Sequence, residues 1–340
     1  MALAGKVNGA VSPSWNPLRC NGTPLPVPVL LMAKLIALCV LLSVDWRNLP
    51  DPFLPFIPVL SQLGPGPLFR FSLKAILLAG LFALLFNRYV RTACLMIGSV
   101  YLLAILSSRI YFQNNRLFVG CLFFLAGLSE QGKPPWLLRC QVALVYFSAG
   151  LNKLLDAGWR SGDFFSAWSG PFIKERLYFR AEALLPSRML ARLFSWSTIA
   201  GELGLSFSLL SRWFFAAVWI GVLFHTGLLF LTGRTFGMFY YAALASYVSF
   251  LEWPRDRVTV LYDGASAFCI ATRRFFEAIT LEPIAEWVPS QAPDGVHGKR
   301  IHALVDGRIY KGFAAIKLLL LYNPVVYFVI AAVLAGKWGQ

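Results

Sequence analysis

The stretch Tyr146-Phe-Ser-Ala-Gly-Leu-Asn-Lys153-Leu-Leu-Asp-Ala-Gly-Trp159 closes a long apolar run, Trp136 to Leu155, with small residues, an amide, a lysine and an aspartate. Two readings of Lys153 stand side by side. In one it is an interfacial anchor whose ammonium snorkels to lipid headgroups. In the other it faces protein or a wet cavity, because Ser148, Ala149 and Gly150 lie one turn before it and small residues let a neighbouring helix approach closely.

The rest of the chain fits a membrane setting. Of its 340 residues 58% are hydrophobic, 15% aromatic and only 14% charged, and the mean hydropathy is +0.63. Soluble domains carry about 25% charge. The net charge is +15, and the arginines sit between apolar runs, which reads as contact with membrane lipids and a topology signal. Neither a nucleic-acid motif nor a stacked basic–aromatic platform is present, so no nucleic-acid partner is expected. The six cysteines are scattered and the histidines number three, a pattern that supports neither a disulfide framework nor a zinc site.

A membrane-crossing helix needs about 20 apolar residues. After a polar, proline-rich tail (1–26), eight runs are expected to cross: Val27–Val44, Leu68–Phe86, Val90–Ser107, Leu117–Ser129, Trp136–Leu155, Leu193–Leu210, Trp213–Thr232 and Phe236–Trp253. Asp51–Leu63 is too short and proline-rich to span, and reads as interfacial. The charged, aromatic segment 159–192 reads as an interfacial or re-entrant insertion. The bundle thus covers 27–255. Beyond it, 256–340 changes composition: a strand over Arg257–Tyr262, a helix over Ser266–Ile279, a loop carrying Pro283, Pro289 and Pro293, and a hairpin turning at Asp306-Gly307. The apolar end, Phe313–Leu334, has three open readings: packing on the small domain, lying in the interface, or dipping into the membrane. The fold class expected is a polytopic helical bundle with a small α/β domain.

Connectivity gathers polar residues at one membrane face. Arg116 opens one span and Lys153 closes the next, with Asn152 beside it. The following span starts on that side, with Glu202 roughly 12 Å along it. The next one returns, with His225 roughly 10 Å short of its end and Arg234 in the turn beyond. A lone carboxylate in hydrocarbon costs several kcal/mol, so Glu202 is expected to have a partner or to be protonated. The plainer readings are that Glu202 cements helix packing and that His225 is a satisfied core histidine.

At these residues the chain resembles a family. Tyr146–Trp159 is similar to the YF-x-AG-x-x-KL…W signature of the HTTM proteins, relatives of vitamin K-dependent gamma-carboxylase. Gln113-Asn-Asn-Arg116 resembles the family's Asn-Asn-His, and Phe224-His225, Phe236-Gly-Met-Phe-Tyr-Tyr and Leu251-Glu-Trp-Pro254 resemble its FH…IGMF…EWP run. The resemblance covers about 27–255. It implies that Lys153 occupies the place of the base that deprotonates a quinol. Arg116 stands where the family has histidine, and an arginine does not shuttle protons at neutral pH; Asn152 replaces a lysine. Protein carboxylation is therefore not expected.

The segment 257–322 resembles the DCC-type thiol–disulfide oxidoreductases, a thioredoxin-like family, through Val260-Leu-Tyr-Asp-Gly264 and Val305-Asp-Gly-Arg-Ile-Tyr-Lys-Gly312. Their Asp-Cys-x-x-Cys is here Ala265-Ser266-Ala-Phe-Cys269. Dithiol exchange needs a second thiol, so Ser266 breaks the cycle, and Cys269 is either a lone modifiable thiol or inert.

The function expected is that of a non-catalytic accessory or scaffold subunit, working with other membrane-protein subunits, with a quinone or isoprenoid lipid held near Lys153 by Arg116, Asn152, Glu202, His225 and Arg234. The alternative is a quinol-dependent, carboxylase-like enzyme using Lys153 as base. The location expected is a bacterial inner membrane with the C-terminal domain cytoplasmic, although the arginine distribution divides between the two sides and long loops count less.

Overall fold

The computed structural model describes residues 17–20, 23–43, 45–51, 53–62, 66–172, 176–186, 188–232, 238–250, 257–280, 285–289, 301–305 and 307–323. The first body is helical: α1 (Val27–Leu42), α2 (Pro58–Ser61), α3 (Pro67–Leu85), α4 (Val90–Ser107), α5 (Asn114–Leu128), α6 (Trp136–Leu155), α7 (Ala157–Ser161), α8 (Asp163–Phe172), α9 (Arg176–Leu184), α10 (Met189–Leu210), α11 (Phe214–Thr232) and α12 (Met238–Val248). Proline sets the first turn of α1, α2 and α3, where its missing N–H costs nothing.

Among the described residues α3, α4 and α10 are the helices long and apolar enough to cross a membrane. The helices α1, α5 and α12 are apolar but shorter, and α6 is more polar because Arg139, Gln141, Asn152 and Lys153 lie within it. Large apolar side chains stay outside, among them Leu68, Phe71, Phe207 and Leu223. That surface is consistent with a lipid-facing bundle.

Glycines set the closest helix contacts. A Cβ on Gly98 of α4 would lie 2.6–2.8 Å from Phe124 of α5, and one on Gly127 of α5 would lie 2.6 Å from Leu95 of α4. Residues 53–56 run across the end of α4: the Leu54 N–H donates to the Ser107 carbonyl at 3.1 Å, and the Arg109 N–H donates to that of Leu54 at 2.8 Å.

The 159–192 insertion folds as α7, α8 and α9 over the start of α10. It has its own small core of Phe165, Tyr178, Leu190 and Ala191, with the Phe165 and Phe194 rings stacked 5.6 Å apart.

The second body comprises β1 (Val258–Tyr262), α13 (Ala267–Ile279), β2 (Ala285–Pro289), β3 (His302–Val305), β4 (Arg308–Lys311) and α14 (Phe313–Leu321). Its sheet runs β2-β1-β3-β4, with β1 and β2 parallel and the other pairs antiparallel. The sequence reading of a proline loop is corrected here: Ala285–Pro289 is an edge strand. Its one proline that falls in the described residues closes the strand, where a missing N–H is tolerated. Val258, Val260, Tyr262, Ala303 and Val305 alternate onto one face and pack against Cys269 and Phe276 of α13 and Ala315, Leu318 and Leu319 of α14. Of the three readings of the apolar end, 313–323 takes the first. The Asn323 amide also donates to the Ile279 carbonyl at 2.6 Å. The remainder, 324–334, lies outside the described residues.

Candidate functional site

The C-terminal end of α6 lies against the middle of α10 because Gly150 has no side chain. A Cβ there would be 2.9 Å from Leu203 Cγ and 3.2 Å from Glu202 Cβ. Three residues on, nearly one turn along the same face, Lys153 sends its stem back along the helix, as helical side chains do. Its Nζ donates to both carboxylate oxygens of Glu202, at 2.8 and 2.7 Å. The two side chains keep 20% and 11% of their exposure. Lys153 thus faces protein, and it is the partner of Glu202.

The Trp159 ring covers the ammonium at 5.2 Å from its centroid. The turn after α6 positions that ring: Asp156 caps α7, its carboxylate accepting from the Trp159 N–H at 2.9 Å, and Phe164 stacks on Trp159 at 4.7 Å.

Two turns N-terminal to Lys153, and on the same face of α6, Tyr146 is buried. Its hydroxyl forms a hydrogen bond with Nε2 of His225 on α11 and another, at 2.5 Å, with the Tyr247 hydroxyl on α12. Gly221, one turn before His225, makes the room: a Cβ there would lie 2.1 Å from the Tyr247 hydroxyl. Phe224, Phe239 and Tyr240 complete an aromatic cage around the imidazole, with centroids 5.3 to 6.1 Å away. Glu202 packs against Gly150, one turn C-terminal to Tyr146, so the ion pair and the tyrosine–histidine chain are neighbours along α6.

The expected constellation is therefore divided. Lys153 and Glu202 meet each other, while His225 meets Tyr146 and Tyr247. Asn152 lies on the exposed side of α6, since one residue turns a helix by about 100°. Arg116 is held by Tyr111: it donates to the Tyr111 carbonyl at 2.8 Å and stacks over that ring at 3.9 Å. It lines a cleft of about 460 Å³ with Asn48, Asp51, Ile110, Tyr111 and Gln113. Arg234 lies outside the described residues. In the small domain Ser266 caps α13, its hydroxyl accepting from the Cys269 N–H at 3.5 Å, and Cys269 is fully buried. Burial favours the inert reading of that thiol.

The sequence reading missed three participants. Tyr146 stands only as the first residue of the quoted signature and Tyr247 draws no reading, since a hydroxyl's partner has no signature in spacing. Lys34 could have been found as the one charge inside the first apolar run. It is fully buried and donates to the carbonyls of Pro17, Arg19 and Leu85 at 2.8, 2.6 and 3.4 Å. It ties the tail to the C-terminal end of α3, where carbonyls lack helical partners.

No family model matches this sequence, and no curated protein or solved structure matches it either.

Proposed function

We propose that this chain is an integral membrane protein whose bundle binds a quinone or isoprenoid lipid beside Lys153, as an accessory subunit of a larger membrane assembly. The observation that carries the reading is the inward ammonium, bound to Glu202 at 2.7 Å beneath the Trp159 ring. A lysine serving only as an anchor has no reason to give up headgroup phosphates for a buried carboxylate. The pair and its aromatic cover offer a donor and a flat apolar wall, which suit a ring bearing oxygen. Lys153 is engaged by a carboxylate and so is not a free base, which favours binding over catalysis.

The resemblance to the HTTM bundle belongs to this proposal, as do eight crossings by α1, α3, α4, α5, α6, α10, α11 and α12. Contacts at alternate ends support that count. Asn87 and Arg19, Arg91 and Ser129, and Gln131 and Thr23 meet at one end, and Leu54 and Ser108 at the other. Shorter helices cross by local thinning of the bilayer. For the small domain, the β–α–β unit followed by a hairpin and a helix, in the order β2-β1-β3-β4, supports a thioredoxin-like module. Its dithiol is reduced to Ser266 and Cys269, so it serves packing or docking. We read that domain as cytoplasmic and the membrane as a bacterial inner membrane.

Lipid extraction from purified protein tests the binding reading. Quinone or isoprenoid enriched over bulk phospholipid, and lost in Lys153→Met, is expected; phospholipid alone sinks it.

A second reading, a quinol-dependent enzyme, is favoured by one observation: the buried Tyr247–Tyr146–His225 chain can pass a proton. Quinol turnover abolished by Lys153→Ala in a folded protein would support it, and turnover unchanged by that substitution would remove the lysine from the reaction.

A further inference from the structure

We infer that the cleft beside Arg116 binds the headgroup of an anionic phospholipid, with the lipid's phosphodiester on the Arg116 guanidinium. The inference goes beyond the Lys153 reading and does not rest on it. The cleft measures about 460 Å³ and is lined by Asn48, Asp51, Ile110, Tyr111, Gln113 and Arg116. That size lies within the range of small-molecule sites.

Its place in the fold is the depth of lipid headgroups. The helix α4, long and apolar enough to cross a membrane, ends at Ser107, and α3, another such helix, begins at Pro67. Residues 110–116 follow directly on α4. Asp51 is tied to the first turn of α3 by its 2.6 Å ion pair with Arg70. The cleft thus sits where two apolar helices meet the membrane boundary. Beside it Ile110, Phe112 and Phe56 are exposed, the two phenylalanine rings meeting edge to face at 6.0 Å. Exposed apolar side chains next to a polar cleft suit a lipid's glycerol and first acyl carbons, whereas a ligand arriving from water gains little from them.

Charge and geometry select the head. Two guanidiniums, Arg70 and Arg116, stand with one carboxylate, Asp51, so the three together carry one positive charge in excess. Arg109, lying over the Phe56 ring at 5.7 Å, adds another at the rim. Tyr111, only 1% exposed, positions Arg116 from two sides, with its carbonyl at 2.8 Å and its ring face at 3.9 Å. A guanidinium fixed in this way suits the paired oxygens of a phosphodiester and loses little freedom when one binds. The exposed amides of Asn48 and Gln113 are placed for hydroxyls on the head.

Full-length protein in maltoside detergent is titrated with dioleoyl phosphatidylglycerol, with dioleoyl phosphatidylcholine, and with glycerophosphoglycerol, the first head without its chains. Native mass spectrometry counts the bound species. Phosphatidylglycerol is expected to bind about threefold or more tighter than phosphatidylcholine, the scale of a half-exposed ion pair. Arg116→Gln is expected to raise its Kd about fivefold, the scale of one basic residue at an anionic lipid surface. Lys133→Gln removes the same charge beyond the other end of α5 and should leave that Kd unchanged. The head without chains should bind about tenfold or more weakly, having no apolar surface to bury.

Equal Kd for the two lipids overturns the inference, as does an equal loss in Arg116→Gln and Lys133→Gln. A head that binds as tightly without its chains overturns the membrane source and makes the cleft a site for a soluble phosphodiester. Should Arg116→Gln fail to fold, the wild-type comparison of the two lipids decides. These outcomes leave the quinone reading untouched, since they concern neither Lys153 nor its ligand.

Discussion

Lys153 of α6 and Glu202 of α10 form a two-pronged ion pair, with Nζ 2.8 and 2.7 Å from the two carboxylate oxygens, at a helix crossing that Gly150 makes close. Removing one partner strands the other in a poorly solvated place. Glu202→Leu is therefore expected to destabilise the protein by about 2–3 kcal/mol. That is less than the roughly 3–5 kcal/mol of a fully buried pair, because the lysine side chain keeps 20% of its exposure. The double substitution Lys153→Met with Glu202→Leu should recover most of the loss. Thermal unfolding in detergent measures both, and a double variant no better than the single would show that the pair is not what Glu202 contributes.

The glycines of the site differ sharply in what they tolerate. Gly221→Ala drives a methyl into the Tyr247 hydroxyl, 2.1 Å away, whereas Gly204 has nothing within 4 Å. Gly221→Ala should cost about 1–3 kcal/mol by overpacking, and Gly204→Ala should gain up to ~1 kcal/mol in helix propensity. Equal melting temperatures for the two variants would contradict the Gly221–Tyr247 contact.

Lys34 holds the tail by three carbonyls. Lys34→Met keeps the stem's packing and removes the donor. Hydrogen exchange at residues 18–20 and 84–87 should rise by about tenfold or more, one lost charged hydrogen bond being worth about 1.5–3 kcal/mol. Exchange unchanged at both segments would show that the ammonium is not the tie.

The side chain at position 266 already sits at the helix N-terminus, facing the Cys269 N–H, where a thiolate is stabilised. Ser266→Cys should therefore create a dithiol able to reduce insulin disulfides, an activity absent from the parent chain. A folded variant with free thiols and no exchange would argue against the thioredoxin-like reading of the small domain.

Much of the fold was legible because each element announces itself locally. The limits of α4 and α6 follow from apolar runs of helical length, and β1, α13 and the Gly307 hairpin follow from alternation and turn chemistry. The strand at Ala285–Pro289 did not, because prolines on either side of a short segment resemble a loop until a parallel neighbour supplies its hydrogen bonds.

For the site, sequence alone determined which polar groups interrupt the apolar runs, and the order of those runs led to the expectation that Lys153, Glu202 and His225 gather at one end of the bundle. Only the tertiary structure decided who pairs with whom. Rotation of each helix about its axis and the reach of each side chain are free in the sequence and become fixed when helices pack. That packing gave Glu202 to Lys153, His225 to Tyr146, Tyr146 in turn to Tyr247, and Arg116 to Tyr111. It also turned Asn152 outward, one residue and about 100° of helix away from the lysine.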